Sequence, residues 1–348
     1  MCPALDILDL TFEQLRAARA VSPGKLAELR RAYARLMRGE AELEGGLSAA
    51  VAPVVREQRD GELIKFVQRL PSGLETESVI IPMKSRQRAW RTLCVSSQVG
   101  CAMGCTFCET AQLGRLANLS PGEIVGQVVA ARRVFDADIR NVVFMGMGEP
   151  FDNFDHVIQA VRVLTDPMGL SLGKAHVTIS TVGRTEGIRR LAALGWRRIN
   201  LAVSLNAPND EIRSQIMPIN RVEPMAMLRD ALVAYPLRTC QFFMIEYVLI
   251  PGVNDAAEHA RELVEYLRPI KCCLNVIPYN PRRDSPWPAP REEDVVRFIG
   301  QVESAGQFVK RRLTKGRDFM AACGQLGNRE LKRPRTGEAV SLSIAGAI

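Results

Sequence analysis

Apolar and polar positions change their spacing at residue 90. Beyond it, short runs of β-branched and other apolar residues alternate with segments in which apolar residues recur every three or four positions. Short apolar runs are typical of buried parallel strands, and the longer period is typical of helices. The predicted strands are residues 92–96, 141–145, 176–181, 199–205, 242–250 and 273–278. The predicted helices are residues 121–134, 155–165, 184–194, 222–234, 254–268 and 291–304.

Strand–helix units in this number predict parallel strands joined by right-handed crossovers. We expect an α/β fold, a partial (β/α)6 barrel covering residues 90–328, with its working groups at the carboxyl ends of the strands. Residues 1–60 read as a small N-terminal helical accessory domain, with a capping box at Thr11 and Gln14. Residues 61–89 predict a linking β-hairpin, and residues 329–348 form a basic tail that follows no pattern.

Composition narrows the class of protein. The chain has 348 residues, 47% of them hydrophobic, and a net charge of +8. It shows neither a signal peptide nor an apolar run of membrane-spanning length, so we expect a cytoplasmic protein that does not bind membranes. Basic groups at 30–38, 310–317 and 329–335 favour a polyanionic partner such as RNA. A charge run is also commonly no more than a solvated face.

Cysteine spacing carries the most chemistry. Cys101, Cys105 and Cys108 form a Cys-x3-Cys-x2-Cys pattern just after the first predicted strand of the core. Three thiolates can hold three irons of a four-iron cluster. The remaining iron then stays open, and it suits the amino and carboxylate groups of S-adenosylmethionine (SAM).

Other uses of these cysteines stay open at this point. With Cys94 as a fourth ligand, they could hold a structural zinc ion. Zinc ribbons, however, usually separate two Cys-x2-Cys pairs, whereas these four cysteines fall within fifteen residues. Buried free thiols are another alternative. A disulfide framework is disfavoured by the odd total of nine cysteines in a long chain without a secretion signal.

Polar residues follow the other predicted strands. Gly148 and Glu149 close the second, and Glu149 can accept a hydrogen bond from an ammonium group. Further along lie Ser180, Ser204, Asn206 and Asn280. One such residue is usually a turn or cap residue. Several at successive strand ends, beside an open metal site, indicate a polar cradle for a ligand.

At these residues the chain resembles the RlmN/Cfr family of radical-SAM methyltransferases, which methylate an adenine of RNA at ring carbon 2 or carbon 8. The matching stretches are residues 92–112, 145–150, 204–210, 277–281 and 322–325, and the resemblance covers residues 60–328. It implies one [4Fe-4S] cluster on Cys101, Cys105 and Cys108. It also implies SAM contacts from Gly148, Glu149, Ser180, Ser204, Leu205, Asn206 and Asn280.

The resemblance also implies the roles of three further residues. Cys323 would accept a methyl group from one SAM, and a radical derived from a second SAM would activate that methyl group for addition to adenine. Cys94 would then attack the Cys323 sulfur, which releases methylated RNA and leaves a disulfide. Glu77 would accept a proton. The chain departs from the family at Asn206, where members typically have histidine, and at Ala117, where an arginine is usual.

We therefore expect a radical-SAM methyltransferase acting on carbon 2 of an adenosine in 23S rRNA, with tRNA as a second substrate. The implied partners are a flavodoxin- or ferredoxin-type electron donor and a thiol reductant for the Cys94–Cys323 disulfide, and we expect a monomer. The alternatives are methylation at carbon 8, a different radical-SAM enzyme, and a zinc-stabilised RNA-binding protein without catalysis.

Overall fold

Parallel strands with helices packed against them form the body of the molecule. The structure is a computed structural model that describes residues 5–19, 23–38, 47–85, 88–317 and 320–331. The strands are β1 (Leu5–Asp6), β2 (Leu47–Ser48), β3 (Val54–Asp60), β4 (Leu63–Arg69), β5 (Glu75–Lys84), β6 (Ala89–Cys94), β7 (Gln98–Cys101), β8 (Gly114–Asn118), β9 (Ile139–Phe144), β10 (Val177–Thr181), β11 (Asn200–Ser204), β12 (Phe243–Leu249), β13 (Cys272–Pro278) and β14 (Val309–Arg311). The helices are α1 (Phe12–Arg19), α2 (Leu26–Met37), α3 (Pro121–Phe135), α4 (Phe154–Leu164), α5 (Thr185–Ala193), α6 (Asp210–Ile216), α7 (Met225–Val233), α8 (Ala257–Leu267) and α9 (Glu292–Ser304).

The main sheet is open and mixed. Within the described residues its order is β14-β13-β12-β11-β10-β9-β6-β5-β4-β3. Neighbours from β6 to β14 are parallel, whereas β3 to β6 are antiparallel. Since β14 and β3 are the two edges, the sheet curls without closing. The predicted α/β fold with a parallel core is confirmed, and each predicted core strand and helix lies within three residues of its observed bounds.

Local sequence signals explain where helices begin. Ser120 Oγ accepts a hydrogen bond from the Glu123 N–H at 3.1 Å, and the Glu123 carboxylate accepts one from the Ser120 N–H at 2.8 Å. This capping box, with Pro121 at the first helical position, starts α3. The capping box predicted at Thr11 and Gln14 is also present.

The N-terminal part differs from the sequence expectation in one stretch. Residues 54–60, read as part of a helical region, form β3, which pairs with β4 and lengthens the predicted hairpin. Pairing supplies the main-chain hydrogen bonds that a helix would otherwise satisfy, and local pattern does not reveal it. Of the expected tail, residues 329–331 form a short 3-10 turn, and residues 332–348 lie outside the described residues.

Two further segments, the β7–β8 hairpin and the chain after β14, shape the carboxyl end of the parallel strands. β7 and β8 form a hairpin between β6 and α3, and its loop carries the three clustered cysteines. After β14 the chain crosses back toward β4, where Lys65 Nζ donates to the Met320 carbonyl at 3.0 Å. The Glu109 N–H donates to the Gly324 carbonyl at 2.7 Å, so this returning segment also contacts the cysteine loop. No helix within the described ranges is long and apolar enough to cross a membrane.

Candidate active site

One cavity at the carboxyl ends of the strands contains most of the residues selected from the sequence. Its lining includes Cys94, Cys101, Cys105, Cys108, Gly148, Glu149, Ser180, Ser204, Asn206, Asn280 and Cys323. These residues follow different strands or lie on the returning C-terminal segment. The fold therefore brings together groups that are widely separated in sequence.

The cysteine loop is fixed by its backbone and by apolar packing. Cys101 ends β7 opposite Gly114 of β8. It is preceded by Gly100, where a side-chain carbon would lie 1.8 Å from the Gly114 carbonyl oxygen. Cys101 and Cys105 are buried in a small cluster with Met217 and other apolar residues. The loop thus holds its thiols in one place before any ligand binds.

Electrostatics of the three thiols favours a positively charged ligand. Burial raises the pKa of Cys101 to about 12, and burial also raises the pKa of Cys105 and Cys108. Three thiolates this close would repel one another, as the mutual effects of Cys101, Cys105 and Cys108 on these pKa values indicate. A metal centre deprotonates its thiol ligands and compensates their charge.

The three loop cysteines can supply the thiolate ligands of one cluster. In a four-iron cluster each cysteine binds a different iron, so the three sulfurs stand apart from one another. Cys101, Cys105 and Cys108 line the same cavity and fit that requirement.

Glu149 is a buried carboxylate on the cavity wall. Its two oxygens accept hydrogen bonds from the N–H groups of Phe151 (3.0 Å) and Val182 (2.8 Å). Burial raises the pKa of Glu149 to about 7, although these hydrogen bonds oppose the rise. A cation in the cavity would favour the ionised form, so the site suits the ammonium group of SAM.

Gly148 allows the backbone to approach its neighbour. Its φ of +102° lies in a region that other residues rarely adopt. A Cβ at this position would lie 2.6 Å from the Gln98 Cβ. The Gln98 side chain in turn accepts a hydrogen bond from the Glu149 N–H at 2.9 Å, which ties the glycine turn to β7.

Asn206 is fixed by contacts with neighbouring segments of the chain. It adopts a φ of +58°, a conformation that asparagine tolerates. Its side-chain oxygen accepts from the Val248 N–H at 2.9 Å, and its Nδ2 lies 3.4 Å from the Met217 sulfur. Leu205 lies outside the cavity lining: its side chain is in the core, and its carbonyl accepts from Arg213 Nε at 3.1 Å.

The remaining polar residues, Ser180, Ser204 and Asn280, lie at the carboxyl ends of β10, β11 and β13. Ser180 and Ser204 are half-buried on β10 and β11, on the cavity wall. Asn280 is buried just after β13, and its side-chain oxygen accepts from Arg317 Nε at 3.2 Å. These groups offer polar contacts around the cavity.

Cys94 and Cys323 are both free thiols and face the same cavity. Cys94 ends β6, and Cys323 lies on the returning segment, 229 positions further along the chain by the printed numbering. Burial, followed by the neighbouring Cys323, raises the pKa of Cys94 to about 12. Cys94 and Cys323 therefore lie close enough to interact electrostatically.

Glu77 lies beside the main cavity rather than on its lining. It is on β5, two positions before Val79, which does line the cavity. Its carboxylate forms an ion pair with Lys65 at 2.9 Å and accepts the Gly327 N–H at 3.1 Å. Glu77 therefore lines a second cavity, together with Lys65 and Gly327.

Sequence reasoning missed two charged residues on the cavity wall. Arg312 belongs to the basic group at 310–317, yet it lines the cavity together with Cys94 and Cys323. Glu246 also lines it, although it lies in the otherwise apolar stretch of β12. An acidic residue within a buried strand was the signal that could have identified Glu246.

Comparisons with known proteins agree with this geometry. The radical SAM superfamily model matches residues 95–267. A probable dual-specificity RNA methyltransferase RlmN 1 of Protochlamydia amoebophila is 45% identical over 283 residues, which are 81% of this chain and 78% of that protein. Dual-specificity RNA methyltransferase RlmN of Nitratidesulfovibrio vulgaris is 40% identical over 353 residues, covering 94% of this chain and 96% of the relative.

A solved structure matches over nearly the whole chain. The crystal structure of a radical SAM methyltransferase from Sphaerobacter thermophilus superimposes with a TM-score of 0.83 at 37% identity, covering 92% of this chain and 98% of the other. The cysteine loop and the carboxyl-end cavity agree with that class of enzyme. The chain therefore belongs to the RlmN/Cfr family of radical SAM RNA methyltransferases, which use a [4Fe-4S] cluster and SAM.

Proposed function

We propose that this chain methylates carbon 2 of an adenosine in 23S rRNA, with tRNA as a second substrate, through a methylated Cys323. The observation that carries the proposal is the meeting of two groups of cysteines in one cavity: Cys101, Cys105 and Cys108 on the loop, and Cys94 with Cys323 opposite. A radical enzyme without a methyl carrier would not need the second pair. The names of the relatives support RNA as the substrate class.

Each ligand group has a place in this proposal. Cys101, Cys105 and Cys108 hold the cluster, while Gly148, Glu149, Ser180, Ser204, Asn206 and Asn280 surround SAM. Leu205 contributes only by shaping the turn, since its side chain lies in the core. When bound, SAM supplies both the methyl group and, on reduction at the cluster, the radical that an unreactive ring carbon requires.

The residues of the chain handle the methyl group. The Cys323 sulfur carries it. The SAM-derived radical would take one hydrogen atom from this methyl group, its carbon would then bond to the adenine ring, and the ring would give up one electron to the oxidised cluster and one proton. Cys94, as a thiolate, then attacks that sulfur: a sulfur–sulfur bond forms, the sulfur–carbon bond breaks, and the bonding pair leaves with the carbon, which takes up a proton. Glu77 accepts the proton lost from the ring, which requires its carboxylate to leave the Lys65 ion pair. A thiol reductant restores Cys94 and Cys323.

Positive charge around the cavity mouth supports a polyanionic substrate. Arg282 Nε donates to the Thr106 carbonyl of the cysteine loop at 2.7 Å, and Arg317 contacts Asn280. Arg283 is exposed beside them, and Arg329 is ion-paired with Glu109 and Asp284. Guanidinium groups at these positions can contact the phosphates of an RNA whose base enters the cavity.

The remaining expectations belong to the same proposal. The electron donor is a flavodoxin- or ferredoxin-type protein, and the enzyme acts as a cytoplasmic monomer. Residues 1–60 form an accessory unit, residues 61–89 a linker and residues 90–328 the catalytic core.

Nucleoside analysis tests the proposed product. RNA from a strain lacking this chain, and from the same strain complemented with it, is digested and analysed by mass spectrometry against standards of 2-methyladenosine and 8-methyladenosine. We expect 2-methyladenosine to disappear from 23S rRNA and tRNA and to return on complementation. Loss of 8-methyladenosine would instead favour carbon 8, and unchanged methyladenosine in all RNA would refute the proposal.

A further inference from the structure

We propose that Arg312, which lies beside the buried carboxylate of Glu246, is the cation that stabilises the thiolates of Cys94 and Cys323 when they react. The inference rests on the proposed function for its biological purpose, but its physical content concerns the two thiols alone. Arg312, Glu246, Cys94 and Cys323 all line the same cavity.

Backbone pairing directs Arg312 into the cavity. Its N–H donates to the Val276 carbonyl at 2.9 Å, continuing the pairing of β14 with β13 by one residue. Side chains alternate along a strand, so Arg311 points the other way and pairs with Glu292 at the surface. The Arg312 Nη1 lies 3.6 Å from the Met145 sulfur, at the end of β9 beside β6. Its guanidinium thus extends across the cavity from the edge strand β14 toward the end of β9.

Glu246 is a buried carboxylate next to that guanidinium. It is 4% exposed, and its Oε2 accepts a hydrogen bond from Asn275 Nδ2 at 2.7 Å. The same Oε2 lies 4.0 Å from Arg312 Nη1. Within the described part of the chain, Glu246 Oε1 has no hydrogen-bond partner. A carboxylate buried in this way needs a nearby cation, and Arg312 supplies it.

The contact with Glu246 does not engage the whole guanidinium group of Arg312. At 4.0 Å the pair is at the limit of an ion pair, and the Arg312 side chain remains 26% exposed. A tightly paired buried arginine would instead form two short parallel hydrogen bonds with its carboxylate. The remaining donors of Arg312 therefore face the cavity, where Cys94 and Cys323 also lie.

Electrostatics of the thiols agrees with this arrangement. Burial and then Cys323 raise the pKa of Cys94, whereas Arg312 acts in the opposite direction. The pKa of Arg312 is raised above its usual value, chiefly by Cys323, with Glu246 and Cys94 contributing. The charged and titratable groups facing Cys94 are thus Cys323 and Arg312, with Glu246 behind the arginine. Arginine suits this position because it stays protonated at any working pH.

The chemistry needs such a cation twice. Cys323 must be a thiolate to attack the methyl carbon of a sulfonium donor and release a neutral thioether, and Cys94 must be a thiolate to attack the Cys323 sulfur. In the second step one sulfur–sulfur bond forms and one sulfur–carbon bond breaks, so the negative charge of Cys94 leaves with the carbon, which takes up a proton. A fixed guanidinium stabilises the charge of each attacking thiolate without itself losing a proton.

Thiol reactivity in the cluster-loaded enzyme tests the proposal without RNA. The protein is treated anaerobically with methyl methanethiosulfonate between pH 7 and 10, and labelling at Cys94 and Cys323 is followed by peptide mass spectrometry. We expect Arg312→Gln to slow labelling of both thiols by about tenfold at a given pH, which corresponds to one pKa unit. Arg312→Lys should keep most of the reactivity. The matched control is Arg311→Gln, which removes the neighbouring outward-facing arginine.

A second variant separates this role from a structural one. Glu246→Gln removes the carboxylate that competes with the thiolates for Arg312, so labelling of Cys94 should become faster. The double variant Arg312→Gln/Glu246→Gln removes the arginine without leaving a buried, unpaired carboxylate. The double variant should fold and still label slowly. If the substitutions only widened the cavity, the reagent would enter more easily and labelling would become faster. Slower labelling therefore reports the loss of the guanidinium charge. Labelling rates in the Arg312→Gln and double variants equal to those of Arg311→Gln would overturn the proposal, whatever RNA the enzyme methylates.

Discussion

Lys65 Nζ lies 2.9 Å from Glu77 Oε2, and the two side chains are only 8% and 5% exposed. The same lysine donates to the Met320 carbonyl, and the same carboxylate accepts the Gly327 N–H. The pair therefore fastens both ends of the segment that carries Cys323. Removing one partner of so buried a pair leaves an uncompensated charge.

Lys65→Met should lower the free energy of unfolding by about 3 kcal/mol, the usual effect of breaking a buried ion pair. Urea unfolding measures this change. Arg59→Met is the matched control. Arg59 pairs with Glu57 within β3, the strand next to that of Lys65, and these two side chains are 53% and 42% exposed. We expect that control to change stability by less than about 1 kcal/mol. Equal effects of the two substitutions would show that the Lys65–Glu77 pair does not hold this region.

Loss of iron should distinguish the two groups of cysteines. Cys105→Ala removes a thiol from the loop, so protein purified anaerobically should lose most of its iron and its cluster absorbance. Cys94→Ala should keep both, because Cys94 ends β6, outside the loop of the three clustered cysteines, and interacts with Cys323. Metal analysis that found zinc in place of iron, and zinc loss in both variants, would support a four-cysteine zinc site instead.

Gly148→Ala should weaken SAM binding by at least tenfold. An alanine Cβ would lie 2.6 Å from Gln98, so the turn that presents Glu149 has to move. Equilibrium dialysis with the cluster-loaded enzyme measures the affinity. Gly195→Ala is a control with the same kind of backbone strain, since its φ is +64°, but a Cβ there meets no atom within 4 Å. If both variants bind SAM alike, the close approach at Gly148 is not what matters.

Arg283→Gln should raise the KM for RNA several-fold while leaving kcat nearly unchanged. Arg283 is exposed beside the cavity mouth, so it can contact phosphate without touching the reacting atoms. The slope of log affinity against log salt should fall by about 0.7–0.9, the value for one phosphate contact. Arg268→Gln, which removes an arginine paired with Glu265 on α8, should leave both quantities unchanged. A fall in kcat alone would place Arg283 in catalysis rather than in RNA binding.

The sequence alone predicted the parallel core, because buried strands and amphipathic helices each carry a local period. It also selected the cavity: Cys101 and Glu149 each follow a strand, and carboxyl ends of parallel strands meet at one edge. The pairing of Cys94 with Cys323 came from the resemblance, since no local pattern relates residues so far apart.

Several contacts could not be predicted because they join distant segments. Lys65 contacts Met320 across 255 positions, and Arg312 reaches Met145 across 167. The Lys65 contact depends on how the returning segment lies over β4, and the Arg312 contact on where β14 joins the sheet. β14 itself is only three residues long, too short to show a period.

The most direct test of the methylcysteine account is the fate of RNA in the Cys94→Ala enzyme. Without Cys94, the adduct between Cys323 and the adenine cannot be resolved, so protein covalently linked to RNA should accumulate. The cluster-loaded variant is incubated with rRNA, SAM and a reductant, the complex is digested, and the linked peptide and nucleotide are identified by mass spectrometry. We predict an adenine joined through one carbon to the Cys323 sulfur. Normal turnover by Cys94→Ala, with free methylated RNA and no crosslink, would contradict the account.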